Sequence, residues 1–226
     1  MDTLSLTPIL EPEELRLDEQ RPRVTISVSR ATAAHLDGWL TEKRLIAAHE
    51  AAHCAAACLT EPKLGLTSVS ITGQHSGWTT TDEDEDSKPA MQSERQLWSS
   101  MLVTLAGWAM EHTLLGQVTT GSESDIKRAT QIAMRRCAAG MVPDEAFFSL
   151  DAFSYDETPR FLIDQVGRSV VRQLQEARVA ACELVALHKE PILRLAETIF
   201  TARRLSDGAL REALVEAGFE PLRTDE

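Results

Sequence analysis

Hydrophobic and polar positions change period several times along the 226 residues. Val24, Ile26 and Val28 alternate with polar neighbours, the period of two expected of a strand, and a short helical stretch follows over 31–40. From about Thr41 to Leu59 alanines dominate (Ala47, Ala48, Ala51, Ala52, Ala55, Ala56, Ala57), which favours helix and lets neighbouring elements approach closely. Strands are predicted over 66–72 and 78–81, joined by a turn at Gln74-His75-Ser76-Gly77. Ser93-Glu-Arg-Gln96 is a capping box opening a helix that reaches Leu115 and stops at Gly116. Trp98, Met101, Leu102, Leu105, Trp108 and Ala109 form its apolar stripe. A further helix starts within 122–125 and ends at Gly140, and a long one spans about 159–188. Pro191 and Ser206 mark two shorter ones. The pattern predicts a mainly α (α+β) fold, with a small sheet beside the 41–59 helix and a C-terminal helical bundle. Residues 1–38 form an N-terminal arm with an extra strand, and 39–226 the main domain.

Composition narrows the function classes. The apolar share of 43% is ample for a core, and 5% aromatic content with many alanines points to close-packed helices. Net charge is −12, so no nucleic-acid footprint is visible and anionic lipid is disfavoured as a partner. Strand-then-helix beside Arg21, Arg23 and Arg30 resembles half of a ribbon-helix-helix DNA binder, but the acidic surroundings favour an edge strand or docking arm. No apolar run approaches the ~18 residues of a membrane helix, and the acidic first 20 residues argue against a secretory leader. Cys54, Cys58, Cys137 and Cys182 form no CxxC pair, which favours a reducing cytoplasm. The acidic run 82–86 reads as a solvated loop. It lacks the glycine and spacing of a calcium-binding loop.

The chemistry concentrates at His49-Glu50-Ala51-Ala52-His53. A helix advances 100° per residue, so His49 and His53 project from one face, one turn apart, and can share a metal ion. Glu50 sits near enough to act on a water beside that metal. Cys58 falls about 180° around the axis from His49 and faces away. A catalytic zinc site needs a third protein ligand. Candidates are Asp125, Glu111, His112, His75 and the acids of 82–86, and periodicity alone does not choose among them. Asp125 has the advantage of a helix start beside the Thr119-Thr120-Gly121 turn, where the backbone is fixed. His35, His112 and His188 lack partners at ligand spacing, and His75 lies in the turn near the groove.

Four segments occur in a telling order: His49-Glu-Ala-Ala-His53, Leu105-Ala-Gly-Trp-Ala-Met-Glu111, Gly116-Gln-Val-Thr-Thr-Gly121 and Ser124-Asp-Ile-Lys-Arg-Ala-Thr130. Together they resemble the peptidase domain of FtsH-type ATP-dependent zinc proteases, with their HEAGH, LAGRAAE, GxxTTGAxND and L-x-x-AT segments. The closing stretch from Ile163-Asp164 to Leu205-Ser-Asp-Gly is similar to the family's last helices, so the likeness covers about residues 40–218. It implies a zinc metallopeptidase with Zn2+ on His49, His53 and Asp125, catalytic Glu50, and Glu111 near the metal, orienting a ligand histidine. It further implies that the strand at 69–71 or 78–81 borders a groove where an extended peptide adds as a strand.

The departures bear on substrate. No GxxxxGK[ST] phosphate loop and no membrane anchor occur in these residues, Ala52 replaces the family's motif glycine, and the 74–77 turn and 87–92 loop are remodelled. The expectation is a cytoplasmic, ATP-independent peptidase acting on unfolded proteins or peptides, alone or fed by a separate ATPase motor, with a homo-oligomer compatible with the sequence. The competing class is a non-catalytic zinc-binding adaptor that uses a peptidase fold to hold protein partners. The intact Glu50 speaks against it, since a retired enzyme has no need of a general base.

Overall fold

The computed structural model describes residues 41–73, 76–81, 91–142 and 159–221. The predicted arm and extra strand of 1–38, the helix of 31–40, the acidic run 82–86, His35 and His75 lie outside them. Six helices and three strands are described: α1 (Glu42–Leu59), β1 (Leu66–Ser70), β2 (Trp78–Thr81), α2 (Glu94–Leu115), α3 (Glu123–Ala138), α4 (Arg160–Leu187), α5 (Lys189–Ala202), β3 (Arg204–Ser206) and α6 (Asp207–Ala217). A 3-10 turn, Thr120–Ser122, leads into α3.

Helix α1 sits at the centre. Every residue from Ala47 to Cys58 is buried, because alanine side chains let α2 and α5 close on it from two sides. Lys43 in its first turn donates to the carbonyls of Ile71 and Gly73, tying the end of β1 to the helix. Helix α2 opens on the expected capping box: Gln96 N–H donates to Ser93 Oγ (3.3 Å), and Ser93 N–H donates to the Gln96 side chain (2.8 Å). It closes on Gly116, whose φ of 67° a side chain would resist.

Two expectations need correction. The α2 stripe is not one-sided, since Leu97, Val103, Ala106 and Met110 are buried along with Met101, Leu105 and Ala109, while Trp98, Leu102 and Trp108 are half-exposed. The helix packs against α1, α3 and α4 at once, so it is apolar nearly all round. The second helix of the tail starts at Lys189 rather than Pro191, directly after α4, and places Pro191 in its first turn, where no intrahelical N–H is lost.

The sheet is antiparallel in the order β2-β1-β3. Val69 faces Thr79 across one pairing and Leu205 across the other. β3 was not anticipated; three residues between two helices carry no alternation to read. β2 is an outer strand of the sheet and lies over the motif residues of α1. No helix among the described residues is long and apolar enough to cross a membrane.

Candidate active site

His49 and His53 project from α1 as the one-turn spacing requires, their rings edge to face at 4.8 Å. Asp125 comes to them from the first turn of α3. Its Oδ2 lies 3.0 Å from His49 Nε2 and 3.4 Å from His53 Nε2. One possible ligand atom from each of the three lies within 4.8 Å of the others, a cluster that could hold a metal ion. His112 is exposed and stacks on Trp108 at 5.3 Å instead.

The outer hydrogen bonds set the ring tautomers. His49 Nδ1–H donates to Glu111 Oε1 (2.8 Å), and His53 Nδ1–H donates to the Val103 carbonyl (2.7 Å). Both Nε2 atoms therefore face the same point as the Asp125 carboxylate. Two imidazole nitrogens and a carboxylate oxygen are the donor set of an open zinc site, and each histidine carries the second hydrogen bond such ligands need. The residues fit zinc.

Glu111, 2% exposed on α2, is committed on both oxygens. Oε2 accepts from Thr119 N–H (2.6 Å), and Oε1 accepts from Ser122 Oγ–H (3.2 Å) as well as from His49. This anchors the 3-10 turn, which in turn aims α3 and Asp125 at the histidines. Ser122, the N-cap of α3, makes no side-chain cap because its hydroxyl is spent on Glu111. Glu111 therefore takes a place behind His49 rather than a place among the three facing atoms.

Charge follows geometry. Burial alone would lower the His49 pKa, but the hydrogen bonds to Asp125 and Glu111 outweigh it and push it up to about 10. Burial opposes ionisation of Asp125 and Glu111 too. Hydrogen bonds from the histidines hold Asp125 well below the usual carboxylate range, and His49 with Thr119 N–H lowers Glu111. The pocket favours positive charge where the three ligand atoms meet. Cys54 and Cys58 are buried thiols, pushed up by burial, Cys58 to about 12.

Glu50, one residue along α1, turns toward β2, and Thr79 Oγ1–H donates to its Oε2 at 2.7 Å. A side chain at Gly77 would meet Glu50 Oε1 at 2.7 Å, so the backbone just before β2 approaches the carboxylate as closely as glycine permits. A cavity of about 660 Å³ runs past these groups, lined by Ile46, Leu64, Trp78, Thr81 and Val103 among others. Thr79, Gly77 and Gly107 were missed by sequence reasoning. For Gly107 a signal existed: a glycine inside an otherwise strong helix usually marks a close packing partner, here the His49 ring.

Residues 40–212 match the family described as Peptidase family M41. The chain is 30% identical over 176 residues to an ATP-dependent zinc metalloprotease FtsH of Nitrosococcus oceani, covering 78% of this chain and 27% of that one. An FtsH 4 of Sphaerobacter thermophilus is 25% identical over 89% of this chain and 32% of its own length. An FtsH 2 of Symbiobacterium thermophilum is 40% identical over 41% of this chain and 16% of its own. The chain thus spans at most about a third of these curated relatives.

Proposed function

The chain belongs to peptidase family M41, and from that premise we propose that it is a zinc-dependent endopeptidase acting on unfolded proteins or peptides, with His49, His53 and Asp125 as metal ligands and Glu50 as general base. The observation that supports it most is the convergence of both Nε2 atoms and the Asp125 carboxylate on one point, with Glu50 alongside. Bound zinc supplies Lewis acidity, which acidifies water and polarises a carbonyl. The chain's own residues do the rest. Glu50 accepts the proton of the attacking water and returns it to the leaving amine. Glu111 keeps His49 Nδ1 protonated so that Nε2 is the ligating atom. β2, as an outer strand, offers its backbone to an extended peptide running along the cavity.

Folded proteins cannot present such a strand, so substrates are unfolded segments, peptides, or chains delivered by a separate motor. Four free cysteines fit a cytoplasmic setting. The test is casein hydrolysis by the purified chain with and without a zinc chelator, with Glu50→Gln in parallel. Chelation and Glu50→Gln should each abolish cleavage, the latter by ~10²–10⁴-fold or more with zinc retained. Undiminished cleavage in either arm sinks the proposal. ATP should change nothing, and a folded form of the same substrate should be spared.

A further inference from the structure

We propose that Thr79 is a positioning residue for Glu50: its hydroxyl selects which carboxylate oxygen faces the metal. This rests on the peptidase reading for its chemical meaning, but the contact itself stands on geometry. Thr79 Oγ1 lies 2.7 Å from Glu50 Oε2 and 3.4 Å from the Glu50 carbonyl. A hydroxyl has one proton to give, and the shorter, charge-assisted bond takes it. The Cys54 sulfur lies 3.8 Å from the same hydroxyl oxygen, and its S–H donates to the oxygen's lone pair. The hydroxyl is thereby oriented, with its acceptor side toward the thiol and its proton toward the carboxylate.

Gly77 completes the arrangement two residues earlier, just before β2 begins. A Cβ there would lie 2.7 Å from Glu50 Oε1 and 2.9 Å from an Ile46 methyl, so the missing side chain leaves the room in which Oε1 sits. One oxygen is held by a hydroxyl and the other is accommodated by a glycine. Thr79 belongs to the strand proposed to receive the substrate backbone, and Gly77 immediately precedes it. The element that docks the peptide therefore also sets the general base, and a shift of β2 is felt at the proton-transfer step.

A valine at position 79 keeps the shape and β-branching of threonine and removes only the hydroxyl, whereas serine keeps the hydroxyl. The probes are casein hydrolysis, zinc content, and binding of a leucine dipeptide hydroxamate and of the same dipeptide ending in a thiol. A hydroxamate needs a correctly placed carboxylate acceptor beside the metal, while a thiol reports the metal alone. Thr79→Val should lower kcat about tenfold or more with KM within about twofold. It should weaken the hydroxamate about tenfold, the loss of one hydrogen bond to a charged group, and leave zinc content and thiol affinity unchanged. Thr79→Ser should restore both. Parental kcat and hydroxamate affinity in Thr79→Val, or losses that serine does not restore, would overturn the assignment. A parent chain that binds zinc and the hydroxamate yet cuts no casein would end the peptidase reading while the inhibitor pair still decides the role of Thr79.

Discussion

Glu111 stands 62 residues from His49 in sequence and 2.8 Å from it in space, and its two oxygens accept from three groups on three stretches of chain. One is the histidine on α1, one the backbone of Thr119, one the hydroxyl of Ser122 at the start of α3. A single carboxylate thus sets both the tautomer of one proposed ligand and the aim of the helix carrying another. Glu111→Gln keeps the size but loses the charge, and places an amide N–H₂ among donors. Zinc affinity should fall ~10–100-fold, read by competition against a chromophoric chelator. Parental affinity would show that His49 needs no such partner.

In the proposed zinc site Asp125 contributes the third ligand atom, so Asp125→Ala should leave two histidines and an incomplete set. Less than one zinc per chain should survive dialysis, with activity lost. The same variant should lose the stabilisation that zinc confers, which for a ligand at a hundred times its Kd is about 2.7 kcal/mol. A chelator should lower the melting temperature of the parent and leave Asp125→Ala unmoved. Full zinc occupancy in the variant would pass the third position to another acid.

The two sides of this site were not equally legible in the sequence. His49 and His53 follow from local helical geometry, which holds in any tertiary setting, and the capping box at Ser93 is as local. Asp125 is brought in by a 3-10 turn pinned on nearby Glu111, and it meets His49 across 76 residues of sequence, a contact that no period encodes. Its place at a helix start beside the Thr119-Thr120-Gly121 turn gave it an advantage, and the resemblance to a family pointed to it ahead of Glu111 and His112. The Thr79–Glu50 bond depends on the register of β2 over α1, and Val69↔Thr79 pairing becomes known only when the sheet does. β3 was invisible for a different reason, since its three residues are strand only because β1 is there to pair with them. The single-sided stripe expected of α2 failed because amphipathicity counts one buried face, and a central helix has several.

Arg136 on α3 tests the scaffold apart from the chemistry. It is 6% exposed, donates to Gln173 Oε1 on α4 (2.8 Å) and Glu94 Oε1 on α2 (3.1 Å), and lies over the Trp98 ring. Its Nε has no hydrogen-bond partner, so the residue already carries part of its desolvation cost uncompensated. Arg136→Met fills similar space but strands the buried Gln173 oxygen, a loss of about 1–3 kcal/mol. The melting temperature should drop by several degrees with zinc stoichiometry intact. An unchanged melting temperature would mean the apolar side chain replaces the network at no cost.

Gly107 sets two effects of opposite sign against each other. In the middle of α2, alanine is favoured over glycine by about 1 kcal/mol on helix propensity alone. A Cβ at this position, however, would collide with the His49 ring, whose atoms are all three of its nearest neighbours. Overpacking a filled interior costs about 1–3 kcal/mol, and here the neighbour that can yield is the ring itself. If His49 turns aside, it leaves both Glu111 and the point it shares with Asp125. Gly107→Ala should therefore melt close to the parent without metal, yet bind zinc at least tenfold more weakly, a deficit of about 1.4 kcal/mol. Titration of the zinc-free protein with zinc, beside melting curves of both metal-free forms, separates the two effects. Unchanged zinc affinity would show that α2 can move away from α1 by the width of a methyl group, and would remove Gly107 from the design of the site.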